Sequence, residues 1–299
     1  MDSKLIFYFN HNKMFAFWLL FCIILLTIAI ILAIVLSISS YNVPKVVYTF
    51  WDNIEKDKVI NAIVATQERN LPREWKLKII SQKNVHQYVD AQALERWKDE
   101  SPTRFSDFLR LYLLSKNGGV WMDSGIILLD GSFLDDYYHE MMKTRSDILL
   151  YEFKALSLEN QLYLENWFFM SPKNSKFMSA FYREFELSRS MGFLKYKNQI
   201  LTPLISSKNL RLQNEDTYHM QHGIIPYLLK KNHYKVIIKD AEESMFMAQN
   251  KSGWDHDKLI NFIVENNDWT GYYAIKLTGA NREGIDSCKE RFITKMQSL

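Results

Sequence analysis

Cysteine is scarce in this sequence. Only two occur among its 299 residues, Cys22 and Cys288. Because they lie in an apolar N-terminal segment and near the opposite end, neither a disulfide framework nor the paired cysteine spacing of a metal site is available. The cysteine count leaves the cellular compartment open.

A strong charge of one sign is also missing. The chain carries 37 basic and 34 acidic residues, which gives a formal net charge of +3. A nucleic-acid-binding protein usually shows a marked basic excess on one face, and no lysine-rich run occurs here. We therefore expect no nucleic-acid partner.

Several common catalytic motifs are absent as well. The sequence contains no GxGxxG after a strand, no GxxxxGK[ST], no HExxH and no GxSxG. These absences argue against a dinucleotide site, a P-loop, a zinc protease and an α/β-hydrolase. With 47% hydrophobic and 24% charged residues, the chain instead fits one large domain or two small ones with a buried core.

A long apolar run lies near the N-terminus. Residues 14–38 carry no charge, and about 25 residues rise about 38 Å as a helix, against a hydrocarbon core of about 30 Å. We predict a tail over 1–13, a single transmembrane anchor over 14–38, a short stem over 39–44 and a globular domain over 45–299. A cleaved signal peptide is the alternative, but its apolar core is normally about 7–15 residues long.

The membrane type depends on the source of the chain. A single-pass protein of this kind is expected in the Golgi or another secretory membrane of a eukaryote, or in the inner membrane of a bacterium. The short tail carries Lys4 and Lys13, which favours a cytoplasmic location for the tail.

Beyond residue 41, strands and helices are expected to alternate. The β-rich runs KVVYTF at 45–50 and KLKII around Lys78 flank a helical stretch at 56–69. A second helix is predicted over 85–98, and a third begins after the SPT turn with Thr103 as its N-cap. This alternation is typical of an α/β fold.

The third helix has a buried stripe and two charged residues beside it. Its stripe consists of apolar residues at helical spacing, namely Phe105, Phe108, Leu109, Tyr112 and Leu113. Asp107 and Arg110 fall off that stripe. Because they are three positions apart on a helix, they project from one face and can address the same ligand.

Two glycines then end the helix and lead to an aspartate. Gly118 and Gly119 stand where a helix C-terminus requires a left-handed residue, and VWM re-enters the sheet and delivers Asp123 to a strand end. Ligands of open α/β sheets bind at that edge, and a carboxylate followed by Ser124 and Gly125 suits a divalent cation on a diphosphate. A simple turn-capping role for Asp123 is the equal alternative.

The run SDFLRLYLLSKNGGVWMDSGIILL resembles the core signature of the capsular polysaccharide synthesis proteins, which are related to glycosyltransferases with a DxD sugar-binding region. PKVVYTFWD, ENWFFMSPKNSKFM and AIKLTGANR resemble the first strand, the central block and the C-terminal end of that family. The resemblance extends over residues 44–282. It implies a GT-A type fold, a nucleotide-sugar-binding α/β sandwich with a mixed, mostly parallel sheet, here preceded by one transmembrane helix.

The resemblance also implies a function. It points to a membrane-anchored glycosyltransferase that moves a hexose from a nucleoside diphosphate sugar to a carbohydrate or glycolipid acceptor, with retention of configuration and with Mn²⁺ or Mg²⁺ as cofactor. Two alternatives stay open. One is a catalytically weak or inactive membrane-anchored protein that binds a glycan or nucleotide sugar, and the other is hydrolysis of the sugar nucleotide.

Residue roles follow from the matched motifs. Trp51 would stack on the nucleotide base unless it is a core residue, and Asp107 and Arg110 would clamp the donor sugar and diphosphate unless they form a surface salt bridge. Asp123 matches the first aspartate of the DxD region and would bind the cation. Gly125 stands where the wider superfamily has the second aspartate, so a cation there would depend mainly on diphosphate oxygens, water and Asp123.

The central block adds further candidates. Glu165 and Asn166 would orient an acceptor hydroxyl and Trp167 would stack on a sugar ring, or else the three form a buried polar cluster. His222, three residues after His219, is a candidate for a metal or phosphate. The predicted catalytic residues are Asp123, Asp107, Arg110 and Glu165, the predicted cofactor-binding residues are Trp51, Asp107, Arg110, Gly119, Asp123, Asn166 and Trp167, and the predicted metal ligands are Asp123 and His222.

Overall fold

The computed structural model describes residues 18–31, 41–206 and 217–299, and the chain divides into two units at residues 1–42 and 43–299. In the first unit, helix α1 covers residues 18–31 and its large apolar side chains are exposed. The other residues of the predicted anchor, 14–17 and 32–38, lie outside the described residues. Within the described part of the chain, no helix is both long enough and apolar enough to cross a membrane.

The second unit is an α/β structure. Its strands are β1 Val46–Phe50, β2 Lys76–Ile80, β3 Gly119–Met122, β4 Ile126–Leu128, β5 Ile148–Glu152, β6 Phe168–Ser171, β7 Val236–Asp240 and β8 Ala274–Lys276. Its α-helices are α2 Lys58–Asn70, α3 Ala91–Trp97, α4 Pro102–Asn117, α5 Phe133–Thr144, α6 Lys176–Met191, α7 Phe193–Tyr196, α8 Met220–Lys231, α9 Met247–Lys251, α10 His256–Glu265, α11 Gly279–Gly284 and α12 Lys289–Ser298.

Six of the strands form one mixed sheet in the order β2-β1-β3-β6-β5-β7. β6 runs antiparallel to both of its neighbours, and the other three pairs are parallel. The prediction of a mixed, mostly parallel sheet is therefore confirmed. Strands β4 and β8 pair antiparallel in a second, two-stranded sheet, in which Ile126 lies opposite Lys276.

Local capping residues set where the helices begin. The carboxylate of Asp57 accepts from the amide of Ile60 at 3.0 Å and starts α2 close to the predicted position. The helix predicted over 85–98 is interrupted: Val85–Gln87 forms a 3₁₀ turn, and α3 starts only after Asp90, whose carboxylate accepts from the amide of Ala93 at 2.8 Å. An aspartate N-cap satisfies an amide that has no partner within its helix, so it fixes the start of the helix.

The start of α4 differs from the prediction. Ser101, not Thr103, is the N-cap, and its hydroxyl accepts from the amide of Arg104. Pro102 then occupies the first turn, where its missing amide hydrogen costs nothing and its fixed φ suits a helix. At the other end, Gly118 has the predicted positive φ, at 68°.

The helices pack in two groups. In one group, α4 packs on α6 and α6 packs on α8, with the ring of Trp97 stacked on Phe108 at 5.5 Å and Phe108 in contact with Phe185. In the other, residues of α2, α10 and α12 share a buried apolar cluster with β4 and β8. The second cluster fixes the turn between β3 and β4 and the segment after β8, which both contribute to the site.

Candidate active site

A cavity of about 550 Å³ lies at one edge of the six-stranded sheet. There Trp51 and Asp123 directly follow β1 and β3, and antiparallel β6 begins after Trp167. The amide of Asp123 donates to the carbonyl of Trp167 at 3.0 Å, which joins the two segments. This is the edge at which open α/β sheets bind ligands.

Nearly all of the predicted site residues line this cavity. They are Trp51, Asp107, Arg110, Asp123, Glu165, Asn166, Trp167 and His222. Gly119 does not line it, because it stands at the opposite end of β3. There a Cβ would lie only 2.7 Å from the carbonyl oxygen of Val46, so its small size serves the close packing of β3 on β1.

Asp123 is surrounded by donors. Its Oδ1 accepts from the indole of Trp121 at 2.9 Å and lies 3.4 Å from a guanidinium nitrogen of Arg110, while Lys276 Nζ lies 3.0 Å from Oδ2. Burial by itself raises the pKa of Asp123, but Lys276 and Arg110 outweigh it and hold the pKa below its ordinary value. The carboxylate therefore stays ionised.

The turn that carries Asp123 is held by a buried amide. Gln67 on α2 donates through Nε2 to the carbonyls of Asp123 and Ile126, at 3.0 and 2.9 Å. The carboxylate of Asp123 itself contacts the side chains of Trp121, Arg110 and Lys276. The sequence gives no local sign of Gln67, which lies 56 positions before Asp123.

Arg110 connects three segments. It lies 3.6 Å from Asp107 and 3.4 Å from Asp123, and it donates to the carbonyl of Asn166 at 2.6 Å. Asp107 and Arg110 are only 4% and 5% exposed, so the interpretation as a surface salt bridge is wrong. Burial raises the pKa of Asp107 above its ordinary value, although Arg110 and Arg104 oppose the shift.

A chain of amides ties α4 to α8 beneath the cavity. Asn166 donates to Gln221 Oε1 at 2.9 Å, and Gln221 donates in turn to the carbonyl of Asp107 at 2.9 Å. This chain fixes the side chain of Asn166 through its amide. Glu165, one residue earlier, lies 3.4 Å from His222 Nε2.

The Glu165–His222 pair keeps one polar atom unused. His222 Nδ1 is buried and has no hydrogen-bond partner among the described residues, and neither has the indole nitrogen of Trp167. Buried polar atoms nearly always have partners. Both residues line the cavity, but these two atoms themselves are buried.

The two tryptophans predicted to stack differ in their surroundings. Trp51 is half-buried, packs against the apolar cluster of α2, and has the guanidinium of Arg282 5.4 Å from its ring centre. Trp167 is buried and already stacks on Tyr151 at 4.8 Å. The stacking of Trp51 on a base, and of Trp167 on a sugar, stays a prediction.

Sequence reasoning missed several residues of the cavity. They are charged or aromatic and include Asp52, Phe153, Trp254, Lys276 and Arg282. Asp52 follows β1 as Asp123 follows β3, so the rule of strand ends would have found it. Lys276 and Arg282 stand in the AIKLTGANR segment but reach the site only through the pairing of β4 with β8.

The donor set does not fit a divalent cation. Both carboxylate oxygens of Asp123 face cationic or indole donors, and His222 is engaged with Glu165. Among the described residues, no three of the metal-binding types cluster around a common point. Divalent cations of this kind prefer several oxygen ligands, whereas ammonium and guanidinium groups next to Asp123 repel them.

The fold and the site define an α/β protein with a cavity at the strand ends that is lined by charged and aromatic residues. The chain belongs to the family of capsular polysaccharide synthesis proteins, whose model matches residues 27–258. No curated protein sequence matches it.

Solved structures with some likeness include glycosyltransferases. One is the apo form of glycosyltransferase GlyE from Streptococcus pneumoniae TIGR4, with 11% identity, a TM-score of 0.41 and coverage of 78% of this chain and 54% of that one. Another is the apo bifunctional glycosyltransferase WbbM, with 12% identity, a TM-score of 0.41 and coverage of 86% and 50%. The chain thus spans about half the length of these two proteins.

A third structure is 4-diphosphocytidyl-2C-methyl-D-erythritol synthase from Anaerococcus prevotii DSM 20548. It shares 9% identity at a TM-score of 0.35, with 68% of this chain and 88% of that one covered. At these scores the likeness identifies no activity, and the family assignment depends on the match over residues 27–258.

Proposed function

We propose that this chain is a membrane-anchored glycosyltransferase that moves a hexose from a nucleoside diphosphate sugar to a carbohydrate or glycolipid acceptor in polysaccharide or glycan synthesis. The observation that carries the proposal is the single cavity that unites Trp51, the Arg110–Asp123 pair and the Glu165–His222 pair. Membership of the capsular polysaccharide synthesis family supports it.

Two groups of lining residues suit the two substrates, the donor and the acceptor. Trp51 and the basic residues near Asp123 offer an aromatic ring and positive charge to the nucleoside diphosphate. Other aromatic rings of the lining favour a sugar: Phe153 and Trp254 stack at 5.1 Å beside Phe246. The fold would be of the GT-A type, with the donor at the carboxyl ends of β1 and β3.

The reaction is expected to retain the anomeric configuration. An acceptor hydroxyl oxygen bonds to the anomeric carbon on the face from which the diphosphate leaves, the bond from that carbon to the diphosphate oxygen breaks, and the hydroxyl proton passes to the departing phosphate. Arg110 would stabilise the charge that develops on the leaving group. Glu165 and His222, which line the cavity 3.4 Å apart, would orient the acceptor.

A second candidate is a binding protein that has lost its chemistry. It is favoured by Gly125, which leaves the DxD region with one carboxylate, and by the engagement of that carboxylate with Lys276. Such a protein would bind the donor without turning it over. Turnover is therefore the property that separates the two.

The test is a panel of nucleotide sugars incubated with the full-length protein in detergent, with and without Mn²⁺, and scored for release of nucleoside diphosphate. We expect selective release from one donor. Arg110→Gln should abolish most of it, whereas Arg291→Gln, at an exposed ion pair with Glu265, should not. Tight binding without release would support the second candidate, and neither binding nor release would reject both.

A further inference from the structure

Two basic side chains border Gly125. A Cβ placed there would lie 3.0 Å from Arg282 Nη1 and 3.7 Å from Lys276 Nζ. The amide of Leu277 donates to the carbonyl of Gly125 at 2.9 Å, which fixes the C-terminal segment against this turn. The position expected to hold a second metal-binding carboxylate is thus next to two cations.

Positive charge is in excess around Asp123. Three basic side chains of the cavity lie near this turn, namely Arg110, Lys276 and Arg282, and the carboxylates in ion pairs with them are Asp107 and Asp123. The difference is one positive charge. Among the described residues, the guanidinium of Arg282 has no hydrogen-bond or ion-pair partner, and its recorded contact is with the ring of Trp51.

This excess is costly in the absence of an anion. Lys276 is only 8% exposed, and burial lowers its pKa, with Arg282 adding to the shift and Asp123 opposing it. Charges taken out of water require compensation by opposite charge. A diphosphate would supply that compensation, whereas a divalent cation would increase the repulsion.

The order of the groups fits a nucleoside diphosphate. Trp51 lies at the end of β1, Arg282 lies 5.4 Å from its ring, and Lys276 follows toward Asp123. A base on or beside the aromatic ring would therefore place the phosphates among the cations. All of these residues line the cavity described above.

We propose that Lys276 and Arg282, together with Arg110, form the subsite for the donor diphosphate and bind it without a divalent cation. This proposal depends on the proposed glycosyltransferase function, since it names how that site holds its donor. The basic groups replace the charge that a metal ion would otherwise supply. Two NH groups of a guanidinium can hold phosphate oxygens side by side, and an ammonium acts on them as a point charge.

The other carboxylates of the cavity do not neutralise this subsite. Glu165 is occupied with His222. Asp52 lines the cavity but forms no ion pair within the described ranges with Lys276 or Arg282. The diphosphate oxygens could thus bind Lys276 and Arg282 without displacing Glu165 or Asp52 from them.

The experiment measures calorimetric binding of nucleoside diphosphates with uracil, guanine, cytosine, adenine and thymine bases to the full-length protein in detergent. Each titration is done in EDTA, in Mn²⁺ and in Mg²⁺. We expect one diphosphate to bind in EDTA with an affinity within about threefold of that in Mn²⁺. Arg282→Gln should weaken it by about tenfold to a hundredfold under all three conditions, while the matched Arg291→Gln at an exposed site changes nothing.

The outcomes separate this proposal from the function on which it depends. If the diphosphate binds only with Mn²⁺ or Mg²⁺, or if Arg282→Gln binds like the parent, the metal-free subsite is rejected and the glycosyltransferase proposal stands. If no diphosphate binds under any condition, both proposals are rejected. Because Arg282 has no ion pair to lose, its variant is expected to unfold at the parent temperature.

Gly125 provides a second variant pair that does not remove a cation. Gly125→Asp would place a carboxylate beside Arg282 and Lys276 and occupy them, whereas Gly125→Ala adds the Cβ without charge. We expect metal-free affinity for the diphosphate to fall about tenfold further in the aspartate variant than in the alanine variant. Equal affinity in the two variants would show that these cations do not bind the diphosphate.

Discussion

The electrostatics of the cavity centre on Asp123. Its carboxylate is the shared partner of Lys276 and Arg110, and its side chain is 23% exposed, so ligand and solvent reach it. An aspartate in this setting is a fixed counter-charge that keeps two cations in place. The carboxylate of Asp123 therefore also positions Lys276 and Arg110.

The pairing of Asp123 with Lys276 can be measured by a double-mutant cycle. Asp123→Asn leaves Lys276 as a buried cation without its carboxylate, which should cost about 3–5 kcal/mol of unfolding free energy. Adding Lys276→Met should recover part of that loss, because the uncompensated charge is then gone. Chemical unfolding of the four proteins measures the coupling.

A control for that cycle is Lys258→Met, at a lysine whose side chain is 73% exposed. Exposed ion pairs contribute only about 0–1 kcal/mol, so this variant should unfold like the parent. If the double variant were no more stable than Asp123→Asn alone, the two residues would not be coupled and the ion pair would be unimportant to the fold.

The two aspartates of the site should respond to pH with opposite signs. The pKa of Asp123 lies below 3.8 in the folded chain because Lys276 and Arg110 outweigh burial. Its stabilising contribution is therefore present above pH 3.8 and is lost as the pH falls through the folded pKa. The pKa of Asp107 lies above 3.8 because of burial, so its contribution is present at low pH and is lost as the pH rises through the folded pKa.

Unfolding free energies of the parent, Asp123→Asn and Asp107→Asn, measured from about pH 3 to about pH 7, test both signs. The difference between parent and Asp123→Asn should shrink as the pH falls below 3.8. The difference between parent and Asp107→Asn should shrink as the pH rises above 3.8. Parallel profiles for the two variants would contradict the assigned shifts.

At the scale of elements, the turn from α4 to β3 positions the Asp107–Arg110 pair relative to Asp123. α4 carries Asp107 and Arg110, and Asp123 directly follows β3, so the turn between α4 and β3 sets the distance between the pair and Asp123. Gly118 makes that turn with φ of 68°. A Cβ there would lie 2.4 Å from the amide nitrogen of Lys173.

Gly118→Ala should therefore destabilise the protein for two reasons. The left-handed backbone costs an alanine about 1–2 kcal/mol, and the collision with the backbone at Lys173 adds about 1–3 kcal/mol. Gly192 is the matched control, because it also caps a helix with positive φ, at 85°, but has open space around its Cβ. Gly192→Ala should show only the first cost in chemical unfolding, and equal losses in both variants would contradict the collision.

Whether the sequence predicts a contact depends on how far apart its two residues lie in the chain. Alternating strands and helices, the glycine break and the position of Asp123 all follow from neighbouring residues, and the structure confirms them. The partners of Asp123 do not follow, because Gln67 and Lys276 lie 56 and 153 positions away. The local pattern of apolar and polar residues does not indicate contacts between residues so far apart in the sequence.

The burial of Asp107 and Arg110 was not predicted from the sequence either. Both fall off the apolar stripe of α4, which predicts exposure, yet α8 and the segment before β6 cover them. Within that cover, Gln221 donates to the carbonyl of Asp107 and Arg110 donates to the carbonyl of Asn166, while the two buried charges pair with each other. This burial results from packing between elements, and the residue pattern of a single helix does not predict it.

At the scale of the whole molecule, the strand order explains why one cavity collects residues from so much of the chain. β3 lies between β1, which precedes it, and β6, which runs the opposite way. The ends of β1 and β3 and the beginning of β6 therefore share one edge. The second sheet brings the end of β8 to the same place, since Lys276 pairs with Ile126.

The uncharged apolar run of the N-terminal unit predicts that the protein is attached to a membrane. Residues 14–38 carry no charge, and large apolar side chains of α1 such as Leu25, Leu26 and Ile28 are exposed, at 50%, 63% and 54%. Such a surface is stable in hydrocarbon and costly in water. We expect the full-length protein to stay in the membrane fraction after a carbonate wash, and a variant without residues 1–42 to leave it.

Two further measurements make that prediction specific to the apolar run. Replacing both Leu25 and Ile28 by arginine should reduce membrane retention, because each arginine at the centre of a spanning helix costs about 2.5–3.5 kcal/mol. The intact mass of the membrane-bound protein separates an anchor from a signal peptide, since cleavage would remove the N-terminal residues and an anchor keeps them. Full-length protein in the soluble fraction, or a shortened mature chain, would show that residues 14–38 do not anchor it.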